Sequence, residues 1–163
     1  MLAATGDAVG WLRAHASPGR RLSFEEAVAG ASLGNAGVVN GGPRLLRSGA
    51  FAITAFTEGF HYVEDPGFYY RFGVRRNPRT LAGVQPDGAL LLVAVDGRAP
   101  GYSAGASFEE SAGIMRALGA RDAVNLDGGG STGMTVGGGL VTRPSDATGE
   151  RPIGEALVVR AGG

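Results

Sequence analysis

The sequence predicts an α+β fold, a twisted, mixed β-sheet with few flanking helices, on three observations. Ala89-Leu90-Leu91-Leu92-Val93-Ala94-Val95 is an unbroken apolar run between the turn residues Pro86-Asp87-Gly88 and Asp96-Gly97, the pattern of a strand buried on both faces. One helix follows it with clear start and stop signals, and then a second short strand, so a crossover can bring the two strands side by side and parallel. The rest of the chain is short extended runs separated by glycine, which fold back as hairpins and make the sheet mixed.

Taken in order, Leu2 to Ala16 carries Leu2, Val9 and Leu12 around two glycines, a weak helical pattern, and Ser23 to Ala29 adds a possible helical turn. Ala36 to Val39, Leu45-Leu46 and Ala50 to Ile53 read as short strands between Gly41-Gly42-Pro43 and Ser48-Gly49. Gly67 to Val74 is aromatic and roughly alternating, which favours a strand, and it runs into the basic cluster Arg75-Arg76-Asn77-Pro78-Arg79. The helix is expected over 108–118, because Ser107 and Glu110 have capping-box spacing, Ile114, Met115 and Leu118 form a stripe, and Gly119 is placed to close it. Ala123 to Leu126 is the second strand. A hairpin of 133–136 with 140–142 around Gly137-Gly138-Gly139, and a closing strand at Ala156 to Val159, complete the reading.

Composition narrows the partners. The 163 residues include 30 glycines and 8 prolines, yet 44% are hydrophobic, so a packed core is within reach. Fifteen basic and fifteen acidic side chains cancel, which leaves none of the positive surface that a nucleic-acid binder uses to displace counterions, so no nucleic acid is expected. No apolar run approaches the roughly 18 residues that span a bilayer, and the first residues of this chain lack the form of a signal peptide. The chain has no cysteine and all its basic residues are arginine, which excludes disulfides, thiolate metal sites and lysine Schiff-base chemistry. His15 and His61 stand alone, so neither a metal nor another cofactor is expected.

The chemistry concentrates at two strand ends. Gly128, Gly130 and Gly133 fit a dinucleotide fingerprint literally, but Met134-Thr135-Val136 and more glycine follow instead of a helix, so that reading is rejected. What remains is a strand that carries Asn125 and Asp127 on one face into Gly128-Gly129-Gly130-Ser131-Thr132. Glycines let backbone N–H groups approach an anion or sugar hydroxyls. A plain tight turn, with Asp127 bonded to its own loop, explains the same residues equally. Asp96-Gly97-Arg98 ends the first strand in the same way; it is either an ordinary turn or a second set of polar groups at the same sheet edge. Arg79-Thr80 is either solvated or a guanidinium suited to phosphate.

The order of these motifs resembles the phosphodiester glycosidase family: Gly41-Gly42-Pro43, Pro78-Arg79-Thr80, Asp87-Gly88, Asp96-Gly97-Arg98, Glu110, Asn125-Leu126-Asp127-Gly128-Gly129-Gly130-Ser131, Pro144-Ser145-Asp146 and Glu150-Arg151-Pro152. The resemblance runs from about residue 36 to the end and implies a single domain over 1–163. It lacks an earlier Asn-Gly-x-Phe-like stretch usual in the family, so the expectation includes a missing N-terminal part or a second copy that completes the site as a homo-oligomer. The implied activity is hydrolysis of a sugar-1-phosphodiester of the N-acetylglucosamine-1-phospho type, on a small-molecule or glycan substrate, in an extracytoplasmic setting. Asp127 and Asp96 are the implied catalytic carboxylates. The implied binding residues are Arg79, Thr80, Arg98, Asn125, Gly128, Gly129, Gly130, Ser131, Thr132, Asp146 and Arg151. Glu110 matches a family position, but its capping-box spacing explains it locally. Two other readings stand beside this one: a non-catalytic module that binds a phosphosugar or exopolysaccharide, and, ranked last, a hydrolase with Asp96, Asp127 and Asp146 around calcium or magnesium.

Overall fold

The structure, a computed structural model, describes residues 4–23 and 38–160. The chain forms two compact units, residues 1–38 and 39–163. In the first, α1 (Ala8–His15) starts later than the apolar pattern suggested, and its last turn is closed by Trp11, whose ring stacks on His15 at 4.8 Å while its carbonyl accepts from His15 Nδ1. The helical turn expected in Ser23 to Ala29 lies, past Ser23, outside the described residues, as do Ala36 and Gly37 of the expected first strand; Val38 and Val39 are in no strand.

The second unit is built on a five-stranded sheet. It contains β1 (Gly41–Arg47), β2 (Ala50–Phe51), β3 (Arg79–Val84), β4 (Leu90–Val95) and β5 (Asp122–Leu126), in the order β2-β1-β5-β3-β4. The α+β architecture with few helices is as expected, and each neighbouring pair is antiparallel. β4 and β5 are indeed parallel to each other, but β3 lies between them, where the sequence suggested direct neighbours. The apolar run of β4 is also not buried on both faces: it is the edge strand, and Leu90 is 56% exposed.

The longest helix among the described residues, α2 (Phe108–Ala117), packs on β1, β3 and β5. Its N-terminus carries the predicted capping box: Ser107 Oγ accepts from the Glu110 N–H, and the Glu110 carboxylate accepts from the Ser107 N–H. Gly119, at φ +84, closes the other end, with its N–H bonded to the Arg116 carbonyl. The buried stripe is Phe108, Ser111, Ala112 and Met115, whereas Leu118 is 46% exposed. A Cβ on Gly83 of β3 would stand 2.6 Å from Met115 Cε, so glycine there is what lets the helix sit this close to the sheet.

Between β2 and β3 the expected strand at Gly67 to Val74 is instead a helical turn, Tyr70–Val74. Aromatic residues favour strands because they pack well there, but here packing selects the helical form. Winding brings Phe68 and Phe72 into a 5.4 Å stack and sets Phe72 edge-on to Phe108 of α2. Phe72 thereby packs against the core formed by Leu45, Leu46, Leu81, Phe108, Met115 and their neighbours. The late hairpin is β6 (Thr135–Val136) and β7 (Gly139–Leu140), turning on Gly137 and Gly138, both at positive φ. Ala156 to Val159 is not a strand: it finds no ladder, and Val158 and Val159 are 70% and 74% exposed.

Glu110 also pairs with Arg76, with Nε at 2.9 Å. Arg76, and next the Ser107 N–H, hold its carboxyl down to about 2 from 4.5. The folded value lies below the unfolded one, so this contribution is complete above about pH 4.5 and is lost as the pH falls towards 2. Ser107→Ala is expected to cost about 1 kcal/mol and lower the melting temperature by about 2–4 °C at pH 7. A melt that is unchanged, followed by circular dichroism, would refute the cap's contribution.

Candidate functional site

β4 and β5 both run antiparallel to β3, so their C-terminal ends meet where β3 begins. Asp96 and Asp127 therefore leave the sheet at one edge, about two strand spacings or ~10 Å apart. The entry to β3 is pinched between the two loops. Cβ atoms on Gly97 and Gly128 would stand 2.7 Å from Pro78 N and 2.9 Å from Pro78 O respectively. The Gly129 N–H donates to that same Pro78 carbonyl at 2.9 Å.

The glycine loop itself is a short 3-10 turn, Gly129–Ser131. Two of its three glycine N–H groups are engaged, Gly128 by Asp127 Oδ1 at 2.8 Å and Gly129 by Pro78. The local turn that was one of the two sequence readings of Asp127 is thus present. Its Oδ2 has no hydrogen-bond partner among the described residues, and Asp127 is exposed. Strand alternation predicted Asp127 on the face of Asn125, but β5 ends at Leu126, which frees Asp127 from the buried face.

Two guanidiniums lie on this loop. A Cβ on Gly129 would be 3.2 Å from Arg98 Nη2 and 3.4 Å from Nη1, and one on Gly130 would be 2.4 Å from Arg151 Nη2 and from Asp146 Oδ2. Arg151 is in turn held by Asp146, with Nε and Nη2 each 2.8 Å from Oδ2. Arg98 sits at φ +54 and donates from Nε and Nη2 to Asn77 Oδ1, at 3.2 and 2.8 Å. Asp127, Gly129, Gly130, Arg98, Arg151 and Asp146 are thereby brought together.

The other expected binding and catalytic residues are engaged within the fold or lie at the end of the loop. Arg79 is fully buried, its guanidinium between the rings of Phe108 and Phe72 at 4.5 and 5.0 Å and bonded to the carbonyls of Ala106, Phe72 and Arg75. Nε and Nη2 are committed to these carbonyls, and Nη1, which has no partner among the described residues, is buried, so Arg79 exposes no donor at the loop, unlike the solvated or phosphate-facing guanidinium expected. Burial first, and the charge of Arg98 second, push it down to about 10. Asn125 is fully buried and donates to the carbonyls of Gly42 and Leu126. Thr132 is 5% exposed with its hydroxyl 3.4 Å from that of Thr80, a contact that links the loop to β3. Asp96 is likewise occupied: Oδ1 accepts from the Arg143 N–H at 2.9 Å and Oδ2 from Tyr102 at 3.1 Å. It holds the loop after β4 to the segment after the late hairpin. Ser131 is half-buried at the end of the glycine turn. Among the described residues no three His, Cys, Asp or Glu side chains group as a metal site, Asp96, Asp127 and Asp146 included.

Asn77 escaped the sequence reading. It reads as part of the basic cluster Arg75 to Arg79, and only the following proline, which restricts its backbone to extended conformations, sets it apart in the sequence. The loop offers a further test. Gly130 is not at positive φ, so alanine is allowed there, but its Cβ must push aside the Arg151–Asp146 pair. Gly130→Ala is expected to leave the melting temperature within about 3 °C of wild type, because the displaced groups are ends of flexible side chains. Inorganic phosphate affinity is expected to fall about tenfold, read by calorimetry. Unchanged affinity would place Arg151 outside the site.

A model of the phosphodiester glycosidase family matches residues 3–160, so the family pattern extends well before residue 36. No curated protein matches the chain. Among solved structures, a Burkholderia pseudomallei protein described as exported is 44% identical, with a TM-score of 0.72, over 91% of this chain and 31% of its own. A hypothetical protein from Synechocystis is 38% identical, with a TM-score of 0.52, over 64% of this chain and 18% of its own. The catalytic domain of zebrafish N-acetylglucosamine-1-phosphodiester alpha-N-acetylglucosaminidase, auto-inhibited by its pro-peptide, is 29% identical, with a TM-score of 0.52, over 68% of this chain and 34% of its own. The chain thus spans about a third or less of the length of each. Among the described residues no helix is long and apolar enough to cross a membrane.

Proposed function

This chain belongs to the phosphodiester glycosidase family, and we propose that it hydrolyses the bond between the anomeric carbon of a sugar and a phosphodiester. The N-acetylglucosamine-1-phospho linkage, in a small molecule or a glycan, is the substrate class, by analogy with the zebrafish enzyme. An extracytoplasmic setting is part of the proposal, supported by the 44% identical neighbour described as exported. The observation that carries the reading is the placing of two guanidiniums, Arg98 and Arg151, against consecutive glycines beside an exposed aspartate.

The chemistry follows from charge. As the C1–O bond breaks, the sugar develops oxocarbenium character and the phosphate monoester departs with the bonding electron pair. That leaving group is a weak base, so neutralising its charge matters more than protonating it. Arg98, whose charge no carboxylate offsets among the described residues, supplies that neutralisation, and Arg151 and the Gly130 N–H add hydrogen-bond donors beside it. Asp127 Oδ2 acts at the anomeric carbon, as the attacking group or as the base that takes a proton from attacking water. Asp146 keeps Arg151 on the loop. Asp96, Thr80, Thr132 and Asn125 hold the loops in register.

Hydrolysis of UDP-N-acetylglucosamine in 18O-labelled water tests this directly. The label is expected in the released sugar, with the phosphorus carrying none. Label in the phosphate would mean P–O cleavage and overturn the glycosidase reading. Binding without turnover would favour a phosphosugar-binding module.

A further inference from the structure

We propose that Asn77 is the positioning residue for Arg98, and that this amide, rather than the arginine's own reach, fixes a phosphate-binding guanidinium over the glycine loop. The inference rests on the function proposed above. Asn77 is 5% exposed and has no freedom of its own. Its Nδ2 lies within hydrogen-bond reach of the carbonyls of Arg71, Phe72 and Arg75, at 2.9, 3.4 and 3.1 Å. Its backbone pairs with Ala106 in both directions, at 3.1 and 2.9 Å. With the amide nitrogen committed to carbonyls, the orientation is unambiguous, and Oδ1 must be the end that faces Arg98.

That oxygen receives both Nε and Nη2 of Arg98. Two donors on one edge of a planar guanidinium fix its plane as well as its position. Among the described residues Arg98 Nη1 has no hydrogen-bond partner, and it stands 3.4 Å from where a Cβ of Gly129 would be. The partner chosen matters. A carboxylate at this point would hold Arg98 as firmly but cancel the charge that a phosphate needs, whereas a neutral amide orients the guanidinium and leaves its charge available. Arg79 supports the device from behind, because its Nη2 donates to two of the same carbonyls, Phe72 and Arg75. The buried arginine, the helical turn, Asn77 and Arg98 form one chain of contacts that ends on the loop.

Arg98 must therefore be held, not merely charged. The test compares Asn77→Ala, Arg98→Ala, Arg98→Lys and the Asn77→Ala/Arg98→Ala double variant, read by the KM and kcat for UDP-N-acetylglucosamine, the Kd for inorganic phosphate and the melting temperature. Asn77→Ala is expected to raise KM and the phosphate Kd about tenfold with a smaller change in kcat, and to add nothing in the Arg98→Ala background. Arg98→Lys keeps the charge but cannot make the paired contact, so it is expected to weaken phosphate binding nearly as much as Arg98→Ala, and it answers the question even if Asn77→Ala does not fold. An Asn77→Ala protein that melts lower but binds as wild type, equal effects of Asn77→Ala in both backgrounds, or full rescue by lysine would each overturn the assignment alone. A wild type that binds no phosphate and turns over no substrate would overturn the proposed function with it.

Discussion

Arg79→Ala is expected to lower the melting temperature by about 10 °C or more, the largest stability loss of any single substitution considered. Three carbonyls, those of Ala106, Phe72 and Arg75, take their side-chain donors from this guanidinium. Each buried group left without a donor costs roughly 1–3 kcal/mol, and the space between Phe72 and Phe108 becomes a cavity. Opposing this is the cost of keeping a charge inside. The folded value, about 10, lies below that of an unfolded arginine, so the buried cation costs stability at every pH below about 10, and that cost fades as the pH rises beyond it. The net loss is expected at about 3–5 kcal/mol, the usual result of breaking a buried charged network by removing one member. Arg79→Lys should fall between, because one ammonium cannot span three carbonyls while lying flat between two rings. An Arg79→Ala protein that melts with wild type, by circular dichroism or calorimetry, would show that the carbonyls find other donors.

The contrast between Arg79 and Arg98 shows what the sequence could and could not disclose. Both arginines lie in short polar motifs beside strands, and both read as phosphate ligands. Only their neighbours separate them. Phe72 lies seven residues before Arg79 and Phe108 opens α2, far along the chain, and the cage they form exists only once Gly67 to Val74 has wound into a helical turn. A local alternation of aromatics cannot show that. Elements whose signals are local were legible: the capping box at Ser107 and Glu110, the closing Gly119, the hairpin on Gly137-Gly138 and the strand that delivers Asp127. The features that depend on assembly were not. β3 between β4 and β5, the exposed edge of β4, and the clamp of Asn77 on Arg98 all need pairings across distant residues. For Asp96 the sequence placed the residue at the correct sheet edge but could not show that Tyr102 and Arg143 would occupy both its oxygens.

Asp127→Asn is the substitution with the largest expected effect on activity. Asparagine has the same shape, and its carbonyl oxygen can accept from the Gly128 N–H as Asp127 Oδ1 does, so the loop and the guanidiniums of Arg98 and Arg151 stay in place. What is lost is the negative charge and the basicity of the exposed oxygen, the one property that the proposed chemistry at C1 cannot do without. The decisive measurement is kcat for UDP-N-acetylglucosamine hydrolysis by wild type and Asp127→Asn, with both proteins shown to melt within about 3 °C of each other. The expected result is a fall of about 10²–10⁴-fold with phosphate affinity retained. A well-folded Asp127→Asn protein that hydrolyses the substrate at the wild-type rate would contradict the assignment of Asp127 and of this loop as the reacting centre.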